Sequence, residues 1–173
     1  MSDTYYRNAL TSDLAAIEAF EESHSPEDAF IAEEIEEMLN STENSFANYS
    51  ALVACDGSGG IIGYVIYLEL TKLPGKRSIL RCFVAPEARR GGVGSELISR
   101  VCPTKTGDRI IIEVGDEDYA SAAFLRMNGF VVKEFVDAEY NEEGFLEMEG
   151  FMIMANEKRT PMELSQRIKW RAV

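Results

Sequence analysis

The segment Arg89-Arg90-Gly91-Gly92-Val93-Gly94-Ser95 has the residue types and spacing to hold a phosphate. Its three glycines remove side chains where a backbone must approach a ligand closely, and its two arginines supply fixed positive charge. An apolar stretch ending at Val84 precedes it and a helical pattern follows it. The N–H groups of a helix start therefore aim into the turn, which suits an anion. A phosphate-bearing cofactor fits this arrangement, although an ordinary tight turn uses the same glycines. Two other phosphate loops fit less well. No Gly-Lys-Ser/Thr triplet closes a P-loop here, and a dinucleotide fingerprint needs a small residue where Leu97 stands, even though Glu113 lies at a distance suited to a ribose.

Around this turn the hydrophobic pattern alternates between strands and helices. Tyr5 to Ala9 reads as a strand, and Thr11 or Ser12 is placed to cap a helix with Leu14, Ile17 and Phe20 inward. A second helix is expected across Phe30, Ile31, Ile35, Met38 and Leu39, then a polar loop from Asn40 to Tyr49. Ala51–Cys55 and Ile61–Leu70 form a hairpin about Asp56-Gly57-Ser58-Gly59-Gly60. Ser78–Val84 is the strand that delivers the glycine turn, and Val93, Leu97, Ile98 and Val101 face inward on the helix that leaves it. Arg109–Val114 is a further strand. Asp118–Met127 is a helix stopped by Asn128-Gly129, and Phe130–Val136 and Gly150–Ala155 are strands. Thr160-Pro161 starts a terminal helix.

The spacing Arg89-x-x-Gly92-x-Gly94 resembles the pyrophosphate loop of the GNAT family of N-acetyltransferases, and the order of elements over residues 4 to 155 matches that fold. Ile112-Glu113-Val114, followed by Ala122-Ala123-Phe124-Leu125-Arg126-Met127-Asn128-Gly129-Phe130, is similar to the strand-then-helix segment of the ribosomal-protein N-terminal acetyltransferases. The resemblance implies an α/β fold: a central mixed, twisted sheet of six to seven strands with about four helices. Residues 1–155 would form the acetyltransferase domain and residues 156–173 a helical extension.

It also implies acetyl-CoA as the acyl donor. Arg89, Arg90 and the backbone from Gly91 through Gly92, Val93, Gly94 and Ser95 would hold the pyrophosphate. The main chain of Cys82, Phe83 and Val84 would pair with the pantetheine arm and polarise the thioester carbonyl, and Phe124 would join the cofactor set.

Acyl transfer to an amine needs a proton acceptor, because an amine of pKa near 10 is only about 0.1% neutral at pH 7. The resemblance assigns that role to Glu113; a glutamate at a strand end can also serve simply as a partner for backbone or arginine. The family often places a tyrosine four residues before the glycine of the Gly-Phe pair, as general acid for the departing thiolate. Leu125 stands there in this chain, which leaves Tyr119 and Tyr140 as substitutes. General acid catalysis gives roughly 10²–10⁴-fold, so its loss slows such an enzyme without abolishing it. A non-catalytic acyl-CoA-binding module of the same fold is the rival expectation, and a dinucleotide-binding protein a third.

Charge distribution narrows the partners. The chain has 173 residues and a net charge of −13, yet nine Lys or Arg against three acids lie between Lys72 and Arg109. Screening over roughly 8 Å makes that local patch decisive for a polyanionic cofactor. Between Asn8 and Thr71 there are thirteen acids and no Lys or Arg. The resemblance implies that the first two helices and the loop before the last strand wall the amine site, and here they carry Glu21, Glu22, Glu27, Asp28, Glu33, Glu34, Glu36 and Glu37, then Asp137, Glu139, Glu142 and Glu143. That favours a cationic acceptor, either a small-molecule amine or a basic peptide, and disfavours nucleic acid; a solvated acidic face is the plainer reading.

The basic tail, with Lys158, Arg159, Arg167, Lys169 and Arg171, is suited to fold back on the acidic body or to meet a second subunit in a homodimer. Cys55, Cys82 and Cys102 are expected as reduced core thiols, with Cys82 the one placed to meet a thioester. The lone His24 is expected on a solvated loop, and no metal site is expected, since acids such as Asp116-Glu117-Asp118 gather at a helix start anyway. No apolar run is long enough to cross a membrane, and Met1-Ser2-Asp3-Thr4 lacks the regions of a signal peptide, so cytoplasmic residence is expected.

Overall fold

The computed structural model describes residues 4–24, 47–73, 75–102, 105, 108–115, 118–137, 139–140, 146–148 and 150–157. The expected helix across Phe30–Leu39, the tail helix from Thr160, and Asp116, Glu117, Glu142 and Glu143 lie outside these residues. The chain divides into two compact units, Met1–Val101 and Cys102–Val173.

In the first unit, β1 (Tyr5–Asn8), β2 (Ala47–Cys55), β3 (Ile61–Leu70) and β4 (Lys76–Val84) lie side by side in that order, all antiparallel. Strand β2 begins at Ala47, so the polar stretch expected as loop up to Tyr49 is strand from Ala47 onward. Pairing of Ala47 with Leu70 and of Tyr49 with Leu68 supplies the ladder that composition did not reveal. Between β2 and β3, Asp56 Oδ1 accepts the N–H groups of Ser58 and Gly60 at 2.8 and 3.0 Å, which closes the turn. Helix α1 (Leu14–His24) follows a single 3-10 turn at Thr11–Asp13. His24 ends this helix rather than lying on a loop.

The expected cap by Thr11 or Ser12 is replaced. Asp13 reaches back to the Leu10 N–H at 2.7 Å while Arg7 grips its other oxygen at 2.9 Å. Both contacts favour the ionised form, with Arg7 foremost, and hold the Asp13 carboxyl below the usual carboxylate range. Leu14 and Ile17 then pack with Val53, Cys55, Tyr64 and Ile66 as the core under α1. Each such apolar side chain contributes about 1.5–3 kcal/mol.

Helix α2 (Val93–Val101) buries Val93, Leu97, Ile98 and Val101, the inward set that its periodicity predicts. Below it, residue 63 of β3 is glycine where the β4 backbone and the Leu97 side chain both come close. A Cβ there would lie 2.9 Å from the Phe83 carbonyl oxygen and 3.4 Å from Leu97 Cδ1.

In the second unit, β5 (Arg109–Gly115) and β6 (Val131–Val136) flank β9 (Phe151–Glu157), both antiparallel to it. Strand β9 continues through Asn156 and Glu157, two residues beyond its expected end. Helix α3 (Tyr119–Met127) starts where Asp118 accepts the Ser121 N–H at 3.0 Å and ends at Gly129, whose φ is +86°. Leu125, Ala122 and Phe130 are buried. A short ribbon pairs β7 (Glu139–Tyr140) with β8 (Leu146–Met148), so Tyr140 lies on a strand. Four strands in one unit and three in the other, beside the ribbon, carry the expected strand content, with three α-helices among the described residues.

Candidate functional site

Strand β4 delivers the glycine turn. Its register against β3 slips between Ile66 and Tyr67: Arg81 faces Ile66 and Ile79 faces Tyr67, so Leu80 has no opposite residue. Such a bulge re-aims the side chains beyond it. The Ala85 N–H bonds to the Ile62 carbonyl at 2.9 Å and carries the ladder just past Val84. A 3-10 turn at Pro86–Ala88 follows, and the Arg89 N–H closes it on the Pro86 carbonyl at 3.3 Å.

The backbone then reverses. Arg90 has φ of 61° and Gly92 of 85°, both in the left-handed region. The first hydrogen bond of α2 is that from the Glu96 N–H to the Gly92 carbonyl at 3.0 Å. The N–H groups of Val93, Gly94 and Ser95 consequently have no carbonyl four residues back inside the helix. A Cβ at Gly92 would meet nothing within 4 Å, so the space above the turn is open. Exposed Arg90 stands beside it. Positive-φ backbone, helix-start amides and open space together fit a diphosphate.

The arginines divide in role. Arg90 is exposed. Arg89 bends back, its Nε donating to the Val84 carbonyl at 2.9 Å and its guanidinium lying 5.3 Å from the centre of the Phe83 ring. The main chain of Cys82, Phe83 and Val84 lies on β4 as expected. Burial pushes the Cys82 thiol up to about 12, so it stays protonated at neutral pH and is a poor nucleophile.

Beside this strand the structure assembles a polar group that the sequence did not reveal. Glu21, only 4% exposed, accepts a hydrogen bond from the Tyr64 hydroxyl, and Arg81 Nε stands 3.7 Å from its other oxygen. Burial, reinforced by the Glu21 contact, raises the Tyr64 phenol above its usual range and keeps it a donor. Phe20 meets Tyr64 and Phe83 edge-on at 6.4 and 5.9 Å, and Tyr64 stacks on Phe83 at 6.3 Å. Glu21 is thus not an open acid on an amine-binding wall; Glu22 beside it is exposed. One signal was present in the sequence. Glu21 falls on the inward stripe set by Leu14 and Ile17.

In the second unit Glu113 is exposed on β5, opposite Ile153. Tyr119 opens α3 at 75% exposure, and Phe124 is half-buried on the same helix. Leu125 is 2% exposed, so the position where related enzymes often carry the acid is a packing position here.

The family model of the acetyltransferase (GNAT) family matches residues 10–130. No curated protein sequence matches the chain. Among solved structures, the ribosomal-protein-S18-alanine N-acetyltransferase of Escherichia coli is similar with a TM-score of 0.68 at 16% identity, over 91% of this chain and 96% of that one. NAA60 of Arabidopsis thaliana gives 0.70 at 16% identity, over 90% and 98%. A dodecameric spermidine N-acetyltransferase of Vibrio cholerae gives 0.65 at 19% identity, over 90% and 94%. At these identities the likeness concerns the fold.

Proposed function

The chain belongs to the acetyltransferase (GNAT) family, whose members transfer an acyl group to an amine, and we propose that it is an acetyl-CoA-dependent N-acetyltransferase with a cationic acceptor. The observation that carries this reading is the turn from Arg90 to Ser95. Two left-handed residues, three helix-start amides and open space over Gly92 meet in the stretch that the family model covers. When bound, acetyl-CoA supplies an activated acetyl thioester.

The turn's amides and Arg90 bind the diphosphate, and the main chain of β4 from Cys82 to Val84 pairs with the pantetheine arm. An N–H of the same strand stabilises charge on the thioester oxygen. Glu113 takes the proton of the attacking amine, directly or through water. Tyr119 or Tyr140 returns a proton to the leaving thiolate. Phe124 contributes apolar contact to the cofactor. The amine attacks the thioester directly while both substrates are bound. Support for a cationic acceptor is the run from Asn8 to Thr71, with its thirteen acids and no Lys or Arg.

Calorimetry with acetyl-CoA and a thiol-release assay across spermidine, an arylalkylamine, an aminoglycoside and an alanine-terminated peptide test the reading. Binding with release on at least one amine is expected. No heat at millimolar acetyl-CoA removes it. The burial of Leu125 favours one rival, a module that binds acyl-CoA without turnover. Heat without thiol release on any amine would select that rival.

A further inference from the structure

The geometry of Arg89 goes beyond a counter-charge for phosphate, and the role it points to rests on the coenzyme reading of the glycine turn. The Arg89 Nε donates to the Val84 carbonyl at 2.9 Å, and the guanidinium lies over the Phe83 ring at 5.3 Å. Both contacts fall on the last two residues of β4. The side chain therefore ties the far side of the Pro86–Ala88 turn back to the strand it left. The ring that receives it is also met edge-on by Phe20 of α1 at 5.9 Å and stacks with Tyr64 of β3 at 6.3 Å. Immediately after Arg89 come the two positive-φ positions, Arg90 and Gly92, whose orientation depends on how the turn leaves the strand.

We infer that Arg89 is a positioning residue, a strut between the Phe83 ring and the phosphate turn, which sets where the amides of Gly92 to Ser95 point. Coenzyme affinity then depends on the shape of its guanidinium and on the Phe83 side chain, more than on the charge at position 89. Lysine separates these contributions. It keeps the charge but has neither a planar face nor an N–H at the Nε position.

The test is titration calorimetry of wild type, Arg89→Lys, Phe83→Leu and the double variant with acetyl-CoA at several salt concentrations, with thermal melts to confirm folding. Each single variant is expected to bind about tenfold more weakly. The double variant should bind no more weakly than the worse single one, because both changes remove the same contact. Phe83→Leu should leave the salt dependence unchanged, since it removes no charge. Full affinity in Arg89→Lys, or additive losses in the double variant, would overturn the strut while leaving the coenzyme reading intact. A wild type that gives no heat overturns both. Should Phe83→Leu fail to fold, Arg89→Lys and Arg89→Gln decide alone: a strut weakens both alike, whereas a direct phosphate contact spares the lysine.

Discussion

Helix α1 is bounded by two buried carboxylates, and they are held in opposite ways. Asp13 stands just before the helix, where the macrodipole favours an anion. Its partners, Arg7 and the Leu10 N–H, lie within six residues along the chain and both donate to it directly. Glu21 stands in the last turn, where the dipole opposes it, and is equally hidden from water. Its hydroxyl donor, Tyr64, is 43 residues away, and Arg81 Nε stays at 3.7 Å. Burying a poorly compensated charge costs several kcal/mol. Asp13 is therefore a device of the fold, made by local chain. Glu21 gains its partners only once β3 and β4 are in place, and it sits where β4 carries Arg81 and Phe83 toward the glycine turn.

Substitutions can break that contrast. Asp13→Ala orphans a half-buried guanidinium edge and a backbone N–H, and is expected to cost about 3 kcal/mol in denaturant unfolding. Glu21→Gln still accepts from Tyr64 and is expected to cost about half as much; an equal or larger loss would collapse the distinction. Tyr64→Phe, which removes one hydroxyl, should cost about 1 kcal/mol. Asp118→Ala, which removes only the cap of α3 in the other unit, should cost about 1 kcal/mol or less.

Acidity sharpens the same comparison. Asp13 titrates below its unfolded value, so its stabilisation is present above about pH 4 and is lost as pH falls through the folded value. Tyr64 titrates above its unfolded value, so its contribution is present below about pH 10 and is lost as pH rises beyond that. Melting temperatures across pH should show Asp13→Asn flattening only the acid limb and Tyr64→Phe only the alkaline one.

Local signals are legible in the chain and long-range ones are not. The inward faces of α2, the Asp118 cap and the Gly129 stop follow from short patterns, and all three are found. The glycine turn is readable because positive φ and missing side chains leave a direct mark in composition. Asp13 escapes a search for caps because its partner arginine sits on β1, outside the helix pattern. Glu21 reads as surface because a carboxylate on an apolar stripe makes sense only with Tyr64 opposite. Residue type alone assigns the side chain of Arg89 to phosphate. Only the facing of β4 shows that a ring and a carbonyl receive it.

Gly63 carries a consequence for anyone who would rebuild this protein. A single methyl group there would act as a wedge between β3 and β4, since the first atom it strikes is the Phe83 carbonyl oxygen, which is main chain and cannot swing aside. Pushing β4 aside at Phe83 would shift the strand end from which the glycine turn departs, so a position with no chemistry of its own sets where the anion cradle sits.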